Sequence, residues 1–326
     1  RINPAYFYGI FDPNDMRRDV SITMTGSNGK GVEKLIPFVP NSKAEGGGLT
    51  LNKWDENRQA NPWVAAQRKS GINGPYMRMS EVYLGYAEVC AALGDVVTGK
   101  QYLKTVRERS FPQGLADTDG FIASFGNDLV RAIIEERGFE YAGEGDRRWT
   151  LIRSGYLPED IKRIKDMTKA MMDGLATKGY YEFENGNIIS AYIWTKLVDA
   201  KTIYGHRLTA QCPMDKVNDP VLYPGWRGQK DNWEEMGLNY GNSAPATNLA
   251  IKGLFEIVSE EEAASLESQG YAKVNWGIDL VDYRDEYDKY LFWDYDYVSA
   301  PIYLWPFTPN VMAAGGFTNG YGFKQE

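Results

Sequence analysis

The sequence predicts a mainly α protein of packed helix hairpins, with long irregular aromatic-rich loops and short strands. Three observations predict it. From Tyr76 onward, Met79, Val82, Tyr83, Tyr86, Val89 and Leu93 recur at three- and four-residue steps, the period of one buried helical face. Gly94 and Pro112 punctuate the stretch that follows at the spacing of a helix hairpin. Elsewhere, segments dense in Tyr, Trp, Gly and Pro carry no helical period.

Residues 1–75 hold the clusters Gly26-Ser27-Asn28-Gly29, Gly46-Gly47-Gly48 and Asn73-Gly74-Pro75 between short apolar pieces, a pattern of loops with short strands. The helix from Tyr76 ends at Gly94, placed as a C′ glycine. A second helix, with Val96, Leu103 and Val106 inward, runs to about Ser110 and stops before Pro112. So short a join makes the two antiparallel, and the pair resembles one tetratricopeptide unit, although no fixed-period repeat runs through the chain. A third helix starts at Asn127 or Asp128, carries Leu129, Ile133 and Ile134, and reaches toward Arg153 with a break at 143–145. Residues 160–173 add another, and a last helical segment is expected near Asn248 to Gln269.

Composition narrows function. With a net charge of −8 over 326 residues, no electrostatic term favours nucleic acid or anionic lipid. No apolar run has the length of a membrane span, and no signal-peptide pattern is present. The opening at Arg1 reads as a start in mid-protein. Cys90 and Cys212 lack metal-ligand spacing, and Cys90, beside Val89, reads as a core thiol.

Glu136, Glu140 and Glu144 lie one helical turn apart, so their mutual repulsion demands nearby cations. Arg137, Arg147, Arg148 and Arg153, with Arg107 and Arg109, are the expected partners. A structural lattice of Glu136, Arg137, Glu140, Glu144, Arg147 and Arg153 is preferred over a paired-carboxylate acid/base site. His206 has neither a second His nor a G-x-S-x-G turn beside it, which favours a plain hydrogen-bonding role. Asp117-Thr118-Asp119 and Asp294-Tyr295-Asp296 offer oxygen ligands for calcium but do not continue into a calcium loop, so no cofactor or metal is expected. Aromatic residues in polar surroundings are the candidate ligand contacts. Trp54, Trp63, Tyr180, Tyr181, Trp194, Trp226 and Trp233 are the leading ones, with Tyr6, Phe7 and Tyr8 in a similar setting. Sugar C–H faces stack on such rings while neighbouring polar groups bind the hydroxyls.

Tyr76-Met77-Arg78-Met79-Ser80-Glu81-Val82-Tyr83-Leu84, Tyr86-Ala87-Glu88 and Val106-Arg107-Glu108-Arg109 together resemble the tetratricopeptide-type helix pair of the SusD/RagB family. Ile134-Glu135-Glu136-Arg137-Gly138-Phe139-Glu140, then Glu144-Gly145 and Arg147-Arg148-Trp149 to Leu151 and Arg153, resemble that family's E-R-x-x-E…E-G-x-R-x-x-D-L-x-R run, with Thr150 where the pattern has Asp. Phe11-Asp12 with Asp15 to Arg18 fits a D-x-R-R position, and Tyr303-Leu304-Trp305-Pro306 with 317–323 a closing segment. The resemblance implies a SusD-like fold, of which 1–326 is the C-terminal part: a helical scaffold over about 76–155 and a loop-rich ligand and closing region over about 156–326. It further implies a non-enzymatic lipoprotein of the outer membrane, anchored through an N-terminal Cys not present in this chain. Such a protein captures a glycan or a peptide and passes it to a TonB-dependent, SusC-like barrel. A mainly helical glycoside hydrolase and a tetratricopeptide interaction scaffold are the alternatives. The first needs a flanking carboxylate pair and the second several repeats, neither of which stands out.

Overall fold

The computed structural model describes residues 2–27, 33–38, 48–51, 53–54, 74–199, 247–284, 303, 308–316 and 318. The first stretch is more regular than expected. Two six-residue helices, α1 (Pro4–Gly9) and α2 (Met16–Ser21), stand where the sequence suggested loops. Six residues are too few to display a 3.6-residue period, but the capping chemistry is legible. Asn3 accepts from the Ala5 N–H (2.8 Å) ahead of Pro4, and Asp15 from the Arg17 N–H (3.0 Å). Short strands follow as expected: β1 (Ile22–Thr23) pairs antiparallel with β4 (Thr50–Leu51), and β2 (Thr25–Ser27) with β3 (Glu33–Leu35).

The expected hairpin is α3 (Met79–Ala92) and α4 (Val96–Glu108). Gly94 turns the chain at φ 87°, a left-handed conformation that glycine adopts without a Cβ penalty. Gly99 lets the two backbones close. A Cβ there would lie 3.0 Å from the Ala87 carbonyl oxygen and 3.2 Å from the Ala91 nitrogen. The facing of α3 is the opposite of the expectation. Its buried residues are Ser80, Leu84, Ala87 and Cys90, while Met79, Val82, Tyr86, Val89 and Leu93 are exposed, Leu93 at 82%. Val96, expected inward, is exposed as well, whereas Leu103 and Val106 are buried. Where the two backbones close at Gly99, α3 presents the small residues Ala87 and Ala91.

After α5 (Thr118–Ala123), α6 (Leu129–Glu140) begins at Asp128, which accepts from the Arg131 N–H (3.0 Å). Leu129, Ile133 and Ile134 are buried as expected. The chain breaks through Gly143 and Gly145 into α7 (Asp146–Ser154), and then α8 (Leu157–Lys178) carries the helical scaffold well past residue 155.

The remaining elements are β5 (Tyr180–Glu182), β6 (Ile188–Ser190), β7 (Tyr192–Asp199), β8 (Thr247–Lys252), α9 (Glu260–Ser268), β9 (Ala272–Asn275), α10 (Gly277–Asp282) and α11 (Pro309–Gly315). β5 and β6 form a hairpin, and β7 is the centre of an antiparallel sheet of order β8-β7-β9. The helix expected near 248–269 is therefore only its second half. Leu249, Ala250 and Ile251 lie buried in β8, a short apolar run whose type periodicity cannot decide.

Among the described residues the core has one large cluster and two smaller ones, one of the latter formed by Ile134, Leu151 and Leu157, with α6 contributing to all three. The large cluster joins Phe7, Tyr8 and Phe11 to Met171, Met172 and Leu175 of α8 and to Trp276. The second joins Leu84, Leu103, Val106, Ile122 and Ile133. Tyr6, Phe7 and Tyr8, read as loop aromatics, are helical, and Phe7 and Tyr8 are fully buried. The Tyr8 hydroxyl accepts from Trp276 Nε1 (2.9 Å) and donates to the Leu254 carbonyl (3.1 Å), and burial pushes its pKa well above the usual phenol range.

Candidate functional site

The charged frame is set by α6, on which Glu135, Glu136, Arg137 and Glu140 are all buried. Glu136 accepts from Arg17 Nη1 (2.6 Å) and Arg107 Nη1 (3.0 Å). Glu140 meets Arg17 (3.2 Å), Arg78 (2.7 Å) and Arg109. Glu144 lies beyond the end of α6, in the turn before α7, and pairs with Arg78 (2.8 Å) and Lys53. Burial alone would raise the Glu140 carboxyl, but Arg17, Arg109 and Arg78 outweigh it and hold it near 2.

Of the cations expected around these carboxylates, Arg107 and Arg109 are in place on Glu136 and Glu140, whereas Arg137, Arg147 and Arg153 pair elsewhere. Arg137 turns to Asp146 (2.5 Å) and donates to the Thr150 hydroxyl (3.3 Å), which itself donates to Asp146 (2.9 Å). Thr150 thus relays between the two charges. Arg147 joins Glu135 (3.0 Å) to Asp160 (2.8 Å), and Arg153 pairs with Glu88. Arg17, Arg78 and Lys53 were missed because they come from distant chain segments with no helical spacing to α6. Each carboxylate of this frame is saturated by cations, which suits a lattice holding helices together better than proton transfer.

The aromatic candidates scatter. Trp194 is buried at 6% exposure in the central strand β7, so the expectation that it joins an open aromatic surface does not hold: its neighbour Ile193 faces the large core, and Trp194 is covered on the opposite face, where Gly253 lies beside its ring. Tyr180 and Tyr181 are neighbours on β5 and therefore point to opposite faces of the hairpin. Trp54 is exposed beside Lys53, whose ammonium donates to the Glu140 carbonyl (2.6 Å). Trp63, Trp226, Trp233, His206, Cys212 and Asp294-Tyr295-Asp296 lie outside the described residues. Cys90 is buried, as a core thiol would be. Asp117 caps α5 by accepting from the Gly120 N–H (2.8 Å), and Asp119 pairs with Lys100. Among the described residues no group of three or more His, Cys, Asp or Glu is placed to hold a metal ion.

Of the seven ring candidates, Tyr181 lines a half-open cleft of about 860 Å³ between α1, α5, α6, α8 and the β5–β6 hairpin. Phe121, Phe125, Phe139 and Phe183 share its wall with charged residues of both signs. Phe121 and Phe125 meet edge to face at 5.2 Å, and the buried Arg107 guanidinium stacks 3.8 Å from the Phe121 ring centre. Such a volume is within the usual range for small-ligand sites. Phe121 and Phe125 were not singled out from the sequence. They lie in the short helix α5 and just after it, where no aromatic cluster is visible along the chain.

Helix hairpins braced by an internal charge lattice, with short strands and a ring-lined cleft at their side, define a mainly α scaffold protein of tetratricopeptide-like build. Comparison with known proteins makes this specific. The SusD family model matches residues 3–307, and the chain belongs to that family, whose members are nutrient-binding proteins. It is 28% identical over 160 residues to a SusD-like protein of Formosa agariphila, a match covering 49% of this chain and 26% of the relative. No solved structure matches it. No described helix is long and apolar enough to cross a membrane.

Proposed function

We propose that this chain is part of a surface-exposed, lipid-anchored nutrient-binding protein of the outer membrane. In this reading it captures a glycan, or less readily a peptide, and delivers it uncleaved to a TonB-dependent, SusC-like barrel. Membership of the SusD family across residues 3–307 is the observation that carries the reading. The frame supports it in kind: the buried carboxylates of α6 are each committed to cations, which leaves binding at rings and loops as the chemistry at hand. No cofactor is needed for that. Gentle detergent extraction of the native protein should recover it together with a barrel transporter, and incubation with polysaccharides should return them unshortened. Recovery only as a free cytosolic species, or release of shortened glycans, overturns the reading.

A further inference from the structure

The charge balance of the cleft distinguishes among ligands. Its three cations are all engaged: Arg107 by Glu136 (3.0 Å), Arg163 by Glu135 (3.2 Å) and Asp160 (2.5 Å), and Lys162 by Asp166. Three carboxylates of the lining, by contrast, have no cation partner among the described residues. Asp12 accepts from the Asn14 N–H (2.8 Å), Asp117 from the Gly120 N–H (2.8 Å), and Glu184 is exposed. Each of these keeps acceptor lone pairs to spare. Between these polar groups stand the partly exposed rings of Phe121, Phe125 and Tyr181.

We infer that this cleft binds a short stretch of uncharged sugar rings and discriminates against glycans bearing uronate or sulfate. The inference rests on the nutrient-binding reading and deepens it. A sugar hydroxyl donates to such free carboxylates without bringing a charge of its own, while the C–H faces of the ring cover the aromatic side chains. An anionic glycan meets three uncompensated carboxylates with no free cation to offset them. A basic peptide is drawn to those carboxylates but faces Lys162 and Arg163 on the α8 wall.

Calorimetry on the 326-residue chain tests this with neutral glucans, mannan and xylan, with pectate, alginate and a sulfated galactan, and with a lysine-rich peptide. The variants are Phe125→Ala, which removes a ring, and Glu184→Gln, an isosteric change at an exposed side chain that leaves folding intact. At least one neutral glycan should bind, and each variant should weaken it about fivefold to tenfold at an unchanged melting temperature. Neutral binding that survives both substitutions overturns the cleft while leaving the nutrient-binding reading standing. Tighter binding of an anionic glycan or of the basic peptide overturns the selectivity. Absence of binding to every glycan removes the cleft and the glycan-binding reading together.

Discussion

Helices α3 and α6 pack against each other, yet they invert the usual rule of what lies inside. Eleven of the twelve residues of α6 are buried, among them Arg131, Glu135, Glu136, Arg137 and Glu140. α3 is richer in apolar residues, yet it exposes Met79, Val82, Tyr86, Val89 and Leu93 and hides the small Ser80, Ala87 and Cys90 with Leu84. Burial here follows geometry and pairing, not hydrophobicity. Charges enter the interior of α6 because cations from α2, from Arg78 and from the end of α4 converge on them. On α3 the close approach of α4 at Gly99 is met by the small Ala87 and Ala91, while most of the larger apolar side chains stand on the outer face.

The comparison can be broken most sharply at α6. Glu136→Ala leaves Arg17 and Arg107 without their shared carboxylate, and Glu140→Ala or Arg137→Ala does the same for its own partners. Removing one member of a buried pair costs about 3 to 5 kcal/mol, so thermal unfolding should fall steeply in each variant, with ligand affinity per folded molecule unchanged in the Glu140 and Arg137 variants, whose partners lie outside the cleft. A variant that kept its melting temperature and lost binding would show the lattice to be a functional site.

Two leucines, Leu84 within α3 and Leu93 just after its end, should behave differently. Leu84→Ala empties a fully buried position and should cost about 2 to 5 kcal/mol, whereas Leu93→Ala, at 82% exposure, should stay within about 0.5 kcal/mol. Denaturant titration of both variants measures the contrast. Equal effects would mean that the outer face of α3 is covered in solution.

Acid should find the same lattice. The Glu140 carboxyl lies near 2 in the folded protein against an ordinary 4.5. Because the folded value is depressed, its contribution is complete above about pH 4.5 and is lost as pH falls toward 2, on the order of 3 kcal/mol in all. Melting measured from pH 6 to pH 2 should therefore decline below about pH 4.5, and Glu140→Gln should flatten that decline. A slope identical in the two proteins would place the acid sensitivity elsewhere.

The smallest effect belongs to a helix end. Asp128→Ala removes the acceptor for the Arg131 N–H at the start of α6 and should cost about 1 kcal/mol, read as a small shift of the denaturation midpoint.

How much of this was legible in the sequence follows the range of the interactions concerned. Local signals were reliable. Gly94 ended α3, Asp128, one of the two caps expected there, began α6, and the Gly143 to Gly145 break separated α6 from α7, because caps and turns depend on residues a few positions apart. The motif blocks around Tyr76 and Glu135 pointed to the family for the same reason: they are contiguous in the chain. Short elements escaped, as α1 and β8 did, since neither is long enough to separate a helical from a strand period. Partnerships across the fold were invisible. Arg17 reaches Glu136 over more than a hundred residues, Tyr181 and Phe121 line one cleft only once the chain has folded, and Trp194 is covered on the face of β7 opposite Ile193, where Gly253 comes in from elsewhere in the chain. By itself the sequence determined the helix hairpins, their ends and the need for cations around α6, all consequences of side chains acting on their own backbone or one helical turn away. Which cations answer that need, which face of α3 looks outward and which rings gather into a cleft were decided by the tertiary structure alone, because they depend on how close separate segments come once the chain has folded.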